Sequence, residues 1–176
     1  LYFNIMFNLS SLLRENIKNI KPYSSARDEY SGADGVFLDA NENPFGSVVT
    51  GDFNRYPDPY QRAVKEKLSV LKEVRVEQIF LGNGSDEPID LLFRAFATPG
   101  KDNVIIMPPT YGMYQVCADI NDVEVRKVSL TPDFDIQENE VLAAVDENTK
   151  LIFVCSPNNP TGTLLSTEKI ETILKS

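Results

Sequence analysis

From Gln78 onward, short apolar runs alternate with helix-period stripes, and that alternation limits the fold more than any other feature of the chain. Ile79-Phe80-Leu81, Val104-Ile105-Ile106-Met107, Val123 to Leu130 and Leu151-Ile152-Phe153-Val154 read as strands. Between them, residues 86–97 place Ile89, Leu92, Phe93 and Phe96 on one helical face, and residues 111–120 form a second helix. Val141, Leu142 and Val145 mark a third helix, with Asp135 and Glu138 at capping-box spacing before it. Residues 167–175 begin a fourth. Repeated strand-helix units predict an α/β fold, a three-layer sandwich around a mostly parallel sheet.

The upstream part is different. Leu9, Leu12, Leu13, Ile17 and Ile20 form an amphipathic helical stripe that Lys21-Pro22 ends. Residues 22–59 then read as an extended, turn-rich arm. It contains Leu38-Asp39-Ala40-Asn41-Glu42-Asn43-Pro44 and Asn54-Arg55-Tyr56-Pro57-Asp58-Pro59. A stretch of that length with little regular structure is uncommon inside a compact domain and is often functional or subunit-spanning. A helix with Val64, Leu68 and Leu71 on one face follows. Leu1-Tyr2-Phe3 has the look of an engineered protease-site remnant, so residues 1–5 are set aside as a tag.

Charge and residue usage exclude several kinds of chemistry. A net charge of −9 argues against nucleic acid as a partner, because phosphate backbones need a basic surface. No apolar run is long enough to cross a bilayer, and no secretory signal is visible. Cys117 and Cys155 lie far apart in apolar contexts and read as reduced and buried, which points to the cytoplasm. The chain has no histidine, which removes Ser-His and Cys-His catalysis and the common zinc sites. Chemistry here requires other groups or a cofactor.

Three motifs follow predicted strands. Gly82-Asn83-Gly84-Ser85-Asp86 opens a helix. Its glycines allow a tight turn, and the amides of Gly84, Ser85 and Asp86 would form an anion site with the helix dipole. Pro88 suits the first turn, where no amide hydrogen is needed. The competing reading is a plain turn capped by Ser85. In Pro108-Pro109-Thr110-Tyr111-Gly112-Met113-Tyr114, Tyr111 has the placement to stack on a planar heterocycle, or simply to plug the core at a helix start. Cys155-Ser156-Pro157-Asn158-Asn159-Pro160-Thr161-Gly162 empties a buried strand into two asparagines fenced by prolines. That stiff turn can aim the Asn159 amide at a phenolic oxygen, or hold it against nearby backbone. Three such groups at the carboxyl ends of separate strands describe a holder for a flat, phosphorylated aromatic ring.

With these motifs, the chain resembles the fold-type I, class II pyridoxal-phosphate-dependent aminotransferases, and in particular their histidinol-phosphate branch. The segments carrying the likeness are Lys21 to Arg27, Leu38 to Gly46, Arg55 to Asp58, Gly82 to Glu87, Pro109 to Tyr114 and Ser156 to Gly162. The resemblance implies pyridoxal 5'-phosphate as cofactor, with Gly84, Ser85 and Asp86 around its phosphate, Tyr111 on its ring and Asn159 at the ring oxygen. It further implies a homodimer in which Tyr56 reaches the partner's cofactor phosphate, and a substrate pocket near Tyr23 and Asn41. Residues 6–59 then form an N-terminal helix and arm, and residues 60–176 part of the cofactor-binding large domain. The implied reaction is amino transfer between histidinol phosphate, a small phosphorylated amine, and 2-oxoglutarate, in histidine biosynthesis. A phosphothreonine decarboxylase or an aromatic aminotransferase on the same fold is the alternative.

The departure from the family is equally specific. Its members are about twice this length, and the Schiff-base lysine, the acid at the ring nitrogen and the carboxylate-binding arginines lie later in their pattern. Lys150, Lys169 and Lys175 do not stand in the family's Ser-x-x-Lys context, so no catalytic residue is assigned. The chain reads as the N-terminal half of an enzyme, inactive alone, or else as a truncated product persisting as a folded fragment.

Overall fold

The computed structural model describes residues 8–25, 35–38 and 40–176. The tag reading at residues 1–5 lies outside them, as do Ala26, Arg27 and Asp39 of the motif segments. The chain divides into two units, one joining the N-terminal segment up to Asn19 with Gly82–Ser176, the other Ile20–Leu81.

The larger unit is built on three strands, β1 (Asn103–Ile106), β2 (Glu124–Lys127) and β3 (Thr149–Ile152). They lie in the order β2-β1-β3, and both pairs are parallel. Parallel neighbours need a crossover. Helix α5 (Met113–Ile120) follows β1, and α6 (Glu138–Ala144) follows β2. Helix α4 (Asp86–Phe96) precedes the sheet, and α7 (Thr167–Lys175) follows it.

Strand alternation sends successive side chains to opposite faces, and the two faces carry separate cores. Val104, Leu151 and Phe153 pack with Phe93, Ala97, Cys117 and Ala118 of the α4–α5 side. Ile105, Ile152 and Val154 pack with Ile136, Val141, Leu165 and Ile170 of the α6–α7 side. The predicted three-layer arrangement is therefore present, with the central strand β1 buried along its whole length.

Four local expectations are corrected. Ile79-Phe80-Leu81 is not a strand. The amide of Ile79 is taken by Val76 O in a 3-10 turn over Val76–Gln78, and no described residue pairs with it as a neighbouring strand. The Leu9–Ile20 stripe breaks into α1 (Leu9–Leu12) and α2 (Glu15–Lys18), because Arg14 turns extended. There it donates from its backbone amide to Ala95 O (3.0 Å) and from its guanidinium to Arg94 O (2.9 Å). A cation on the open carbonyls at the end of α4 is a favourable placement that competes with helix continuity. Asp135 does not box the start of α6. Its carboxylate accepts from Ser166 N (3.0 Å) and pairs with Lys169 (2.9 Å), which ties the loop before α6 to the start of α7. Finally, both cysteines are free, but only Cys117 is buried; Cys155 is half-exposed at the sheet's carboxyl end.

In the smaller unit, α3 (Arg62–Lys72) is the one long helix among the described residues, and it buries none of its side chains. Order in the arm comes from Glu42, whose side chain is only 3% exposed. It accepts from the Arg55 guanidinium (2.9 Å) and the Tyr56 amide (2.7 Å). The neighbouring Asn43 carbonyl takes a hydrogen bond from Asn54 (2.9 Å). Two of the sequence motifs, far apart in the chain, are thereby joined.

Candidate functional site

The site is built from loops at the carboxyl end of the parallel strands. Gly84 sits at φ +75°, and a Cβ there would meet nothing within 4 Å. The glycine is thus required by conformation rather than by crowding. It lets the chain turn into α4, whose N-cap is Ser85. Ser85 makes no side-chain cap bond, which sets aside the plain capped turn. The amides of Gly84, Ser85 and Asp86 find no acceptor among the described residues, and all but the half-buried Asp86 are exposed. An 11-residue helix with open first-turn donors favours negative charge at this end.

Tyr111 is placed by two contacts. Its hydroxyl donates to Asp86 Oδ1 (2.7 Å), and its ring meets Tyr114 edge-on at 5.8 Å between centroids. Tyr114 in turn stacks on Phe153 (4.5 Å), and Phe153 on Phe93 (5.4 Å), so an aromatic column runs from the core to the rim. The Asp86 bond, with a smaller contribution from burial, raises the Tyr111 pKa above the ordinary phenol value. Burial first, then Cys155, pushes Tyr114 up to about 12. Both rings are neutral phenols at physiological pH. Because the Asp86 carboxylate is turned toward Tyr111, what it leaves for an anion is its backbone amide.

The asparagine turn divides its labour. Asn159 is exposed and makes no side-chain hydrogen bond to a described residue. Asn158 is 3% exposed. Its amide donates to Pro109 O (2.8 Å) and Thr161 Oγ1 (2.8 Å), while its Oδ1 accepts from Thr110 Oγ1 (3.1 Å). Sequence reasoning singled out Asn159 and missed Asn158. The available signal was a second amide in the same proline-fenced turn, which must be satisfied if buried.

The structure therefore brings together Gly84, Ser85, Asp86 and Tyr111 directly, and it ties the Asn159 turn to the Tyr111 loop through Asn158. Tyr23, Asn41 and Tyr56 belong to the smaller unit, where all three are exposed; Tyr23 and Tyr56 are 89% and 67% accessible. The three lysines are held elsewhere. Lys169 pairs with Asp135 (2.9 Å) and donates to Ile136 O (2.7 Å), and Lys175 pairs with Glu171 (2.7 Å). Lys150, the second residue of β3, lies toward the opposite end of the sheet and donates to Glu147 O (3.1 Å). Among the described residues there is no group of three or more metal-ligating side chains, and no helix is long and apolar enough to cross a membrane.

A parallel α/β/α unit with an open helix N-terminus, an aromatic ring and a free amide at one rim defines a class of α/β proteins whose strand ends are able to accept a small anion. Comparison with known proteins narrows that class. Residues 33–176 match the model of the family "Aminotransferase class I and II". The chain belongs to that family. It is 63% identical over 168 residues to a histidinol-phosphate aminotransferase of Cytophaga hutchinsonii, with 96% of this chain and 48% of that protein covered. A histidinol-phosphate aminotransferase of Bacteroides fragilis is 62% identical over 170 residues, at the same coverage. The chain spans about half the length of these curated relatives. Among solved structures, the histidinol-phosphate aminotransferase from Clostridium acetobutylicum superposes with a TM-score of 0.58 at 27% identity. That match covers 69% of this chain and 34% of the other.

Proposed function

We propose that this chain supplies the cofactor-holding portion of a pyridoxal-phosphate-dependent aminotransferase that exchanges the amino group of histidinol phosphate with 2-oxoglutarate. The observation that carries the reading is the junction of three loops at one rim. Tyr111 is hydrogen-bonded to Asp86 of the first loop, and Asn158 joins the Tyr111 loop to the Asn159 turn. The names of relatives more than 60% identical support the choice of substrate.

The residues fit the cofactor's chemistry. Open amides and the exposed hydroxyl of Ser85 suit a phosphate in a chain whose overall charge is negative. Tyr111 offers a neutral ring for stacking, and the unpartnered amide of Asn159 can donate to a phenolic oxygen. Pyridoxal phosphate, when bound, supplies an electron sink for cleavage of a bond at the substrate's Cα. The residues named here bind, orient and cover that ring, and Lys150, Lys169 and Lys175 are engaged elsewhere rather than held at this rim to move the Cα proton. We therefore propose that these 176 residues do not turn over substrate alone. The reading also carries a cytoplasmic homodimer, with Tyr56 serving the partner's cofactor and Tyr23 and Asn41 near the substrate.

The test is an assay of a protein of the relatives' full length carrying this segment. Histidinol phosphate, phosphothreonine and phenylalanine are offered in turn, with 2-oxoglutarate as amino acceptor. Glutamate formation fastest with histidinol phosphate is expected. Carbon dioxide release from phosphothreonine, or a preference for phenylalanine, overturns the substrate assignment.

A further inference from the structure

Resting on that reading of the site, we propose that Asn158 is a positioning residue. It couples the ring-stacking loop to the Asn159 turn, so that the two present a single preformed face. The argument begins with its burial. An asparagine side chain that is 3% exposed at the end of an apolar strand is costly unless its donors and acceptor are met. Every partner it uses lies in one of the two loops, and none belongs to the strands or helices themselves. On one side are Pro109 O and Thr110 Oγ1, immediately before Tyr111. On the other is Thr161 Oγ1, whose hydroxyl lies 2.7 Å from that of Thr163.

The backbone of Asn158 closes the turn around Asn159. Its amide donates to Thr163 O (2.8 Å), and its carbonyl accepts from Gly162 N (2.7 Å). The Asn159 side chain is left outside this ring of bonds, directed by a turn that cannot shift without breaking the link to Thr110. A side chain serving only the core would need no such division of partners. Since the Tyr111 hydroxyl is also held by Asp86, a displacement of the stacking loop is resisted from both sides. Pre-organisation of this kind lowers the ordering cost of binding.

The experiment perturbs one loop and reads the other. Thr110→Val keeps the side chain's shape but removes the donor to Asn158 Oδ1, while Thr110→Ser retains the hydroxyl. Amide hydrogen exchange of the 176-residue chain is followed at Gly162, in the distant loop, and at Val128, whose bond to Ile106 O reports on the sheet. In Thr110→Val, Gly162 exchange is expected to rise about fivefold, consistent with loss of one hydrogen bond, with Val128 unchanged and Thr110→Ser near wild type. In parallel, the dissociation constant for pyridoxal 5'-phosphate, measured by equilibrium dialysis, should rise about tenfold in Thr110→Val and be restored in Thr110→Ser. Gly162 exchange that does not respond to Thr110→Val, or that rises together with Val128, overturns the positioning role. A wild-type chain that shows the coupling but takes up no pyridoxal phosphate supports the clamp and overturns the reading of the site.

Discussion

The two ends of the same three strands treat their polar groups in opposite ways. At the amino end, most of the side chains satisfy one another, and the exception, the buried Asp102 Oδ1, has no hydrogen bond but lies 4.0 Å from Lys150 Nζ. Asn103, 1% exposed, donates to Asp146 (3.0 Å) and accepts from Thr149 (2.8 Å), and Arg126 pairs with Asp146 (2.6 Å) while donating to Ala144 O (2.8 Å). A cleft of about 390 Å³ lies beside this end, lined by Asp102, Asp119, Asp122 and Glu124 together with Lys101, Gly100 and Val123, a net acidic lining and a poor setting for an anion. At the carboxyl end, one buried asparagine satisfies two loops, and the amides of Gly84, Ser85 and Asp86 and the Asn159 side-chain amide find no acceptor among the described residues, while the exposed Ser85 hydroxyl faces Tyr111. On the proposed reading of the site, the lesson is that polarity does not mark the ligand end of the sheet. Unspent donors on a fixed frame do.

Substitutions at the two ends should therefore separate stability from binding. The largest effect on folding is expected for Asn103→Leu, which removes two part-buried hydrogen bonds, one to Asp146 Oδ1 and one from the Thr149 hydroxyl, and leaves those two groups only their bonds to each other and to the Asn148 and Asp146 amides. Urea unfolding should show a loss of about 2 kcal/mol, with cofactor affinity of the folded fraction unchanged. Gly84→Ala comes next. The left-handed backbone at this position should cost about 1–2 kcal/mol, and cofactor affinity should fall as well, since the same turn presents the amides.

Acid sensitivity should belong to the amino end. Hydrogen bonds from Asn103 and then Arg126 hold the Asp146 carboxyl at about 2, below its ordinary 3.8. A depressed folded pKa adds stability above the unfolded value and loses it as pH falls through the folded one. The stability gap between wild type and Asp146→Asn should therefore narrow as pH drops from about 4 to about 2. An unchanged gap would mean that the carboxylate contributes nothing beyond its amide isostere. The smallest change in stability, within about 0.5 kcal/mol, is expected for Asn159→Ala and Ser85→Ala, because both side chains are exposed. Equal unfolding curves with weakened cofactor binding would sharpen the contrast between the ends. A large loss of stability would erase it.

Much of the carboxyl end was legible in the sequence, for identifiable reasons. Apolar runs such as Val104–Met107 are short and bounded, and the motifs follow them directly, so strand ends and the proposed ligand groups are located together. What periodicity could not supply was partners. Ile79-Phe80-Leu81 has strand composition, but a strand exists only where another pairs with it. Asp135 has cap spacing, yet Ser166 and Lys169, from beyond β3, compete for its carboxylate. Between adjacent asparagines in a stiff turn, sequence alone does not say which faces inward, and Asn158 was missed on that account. Tyr23, Asn41 and Tyr56 rested on resemblance, and the structure places them in the smaller unit.

The central claim is that three loops on one rim hold a phosphorylated aromatic ring. Titration of the isotopically labelled chain with pyridoxal 5'-phosphate, followed by amide chemical shifts, tests it most directly. Saturable shifts are expected at Gly84, Ser85, Asp86, Tyr111 and the Asn159 side chain, with inorganic phosphate reproducing only those of the α4 turn. Saturable shifts centred on Asn103 and Asp146 instead, or none anywhere, would contradict the account.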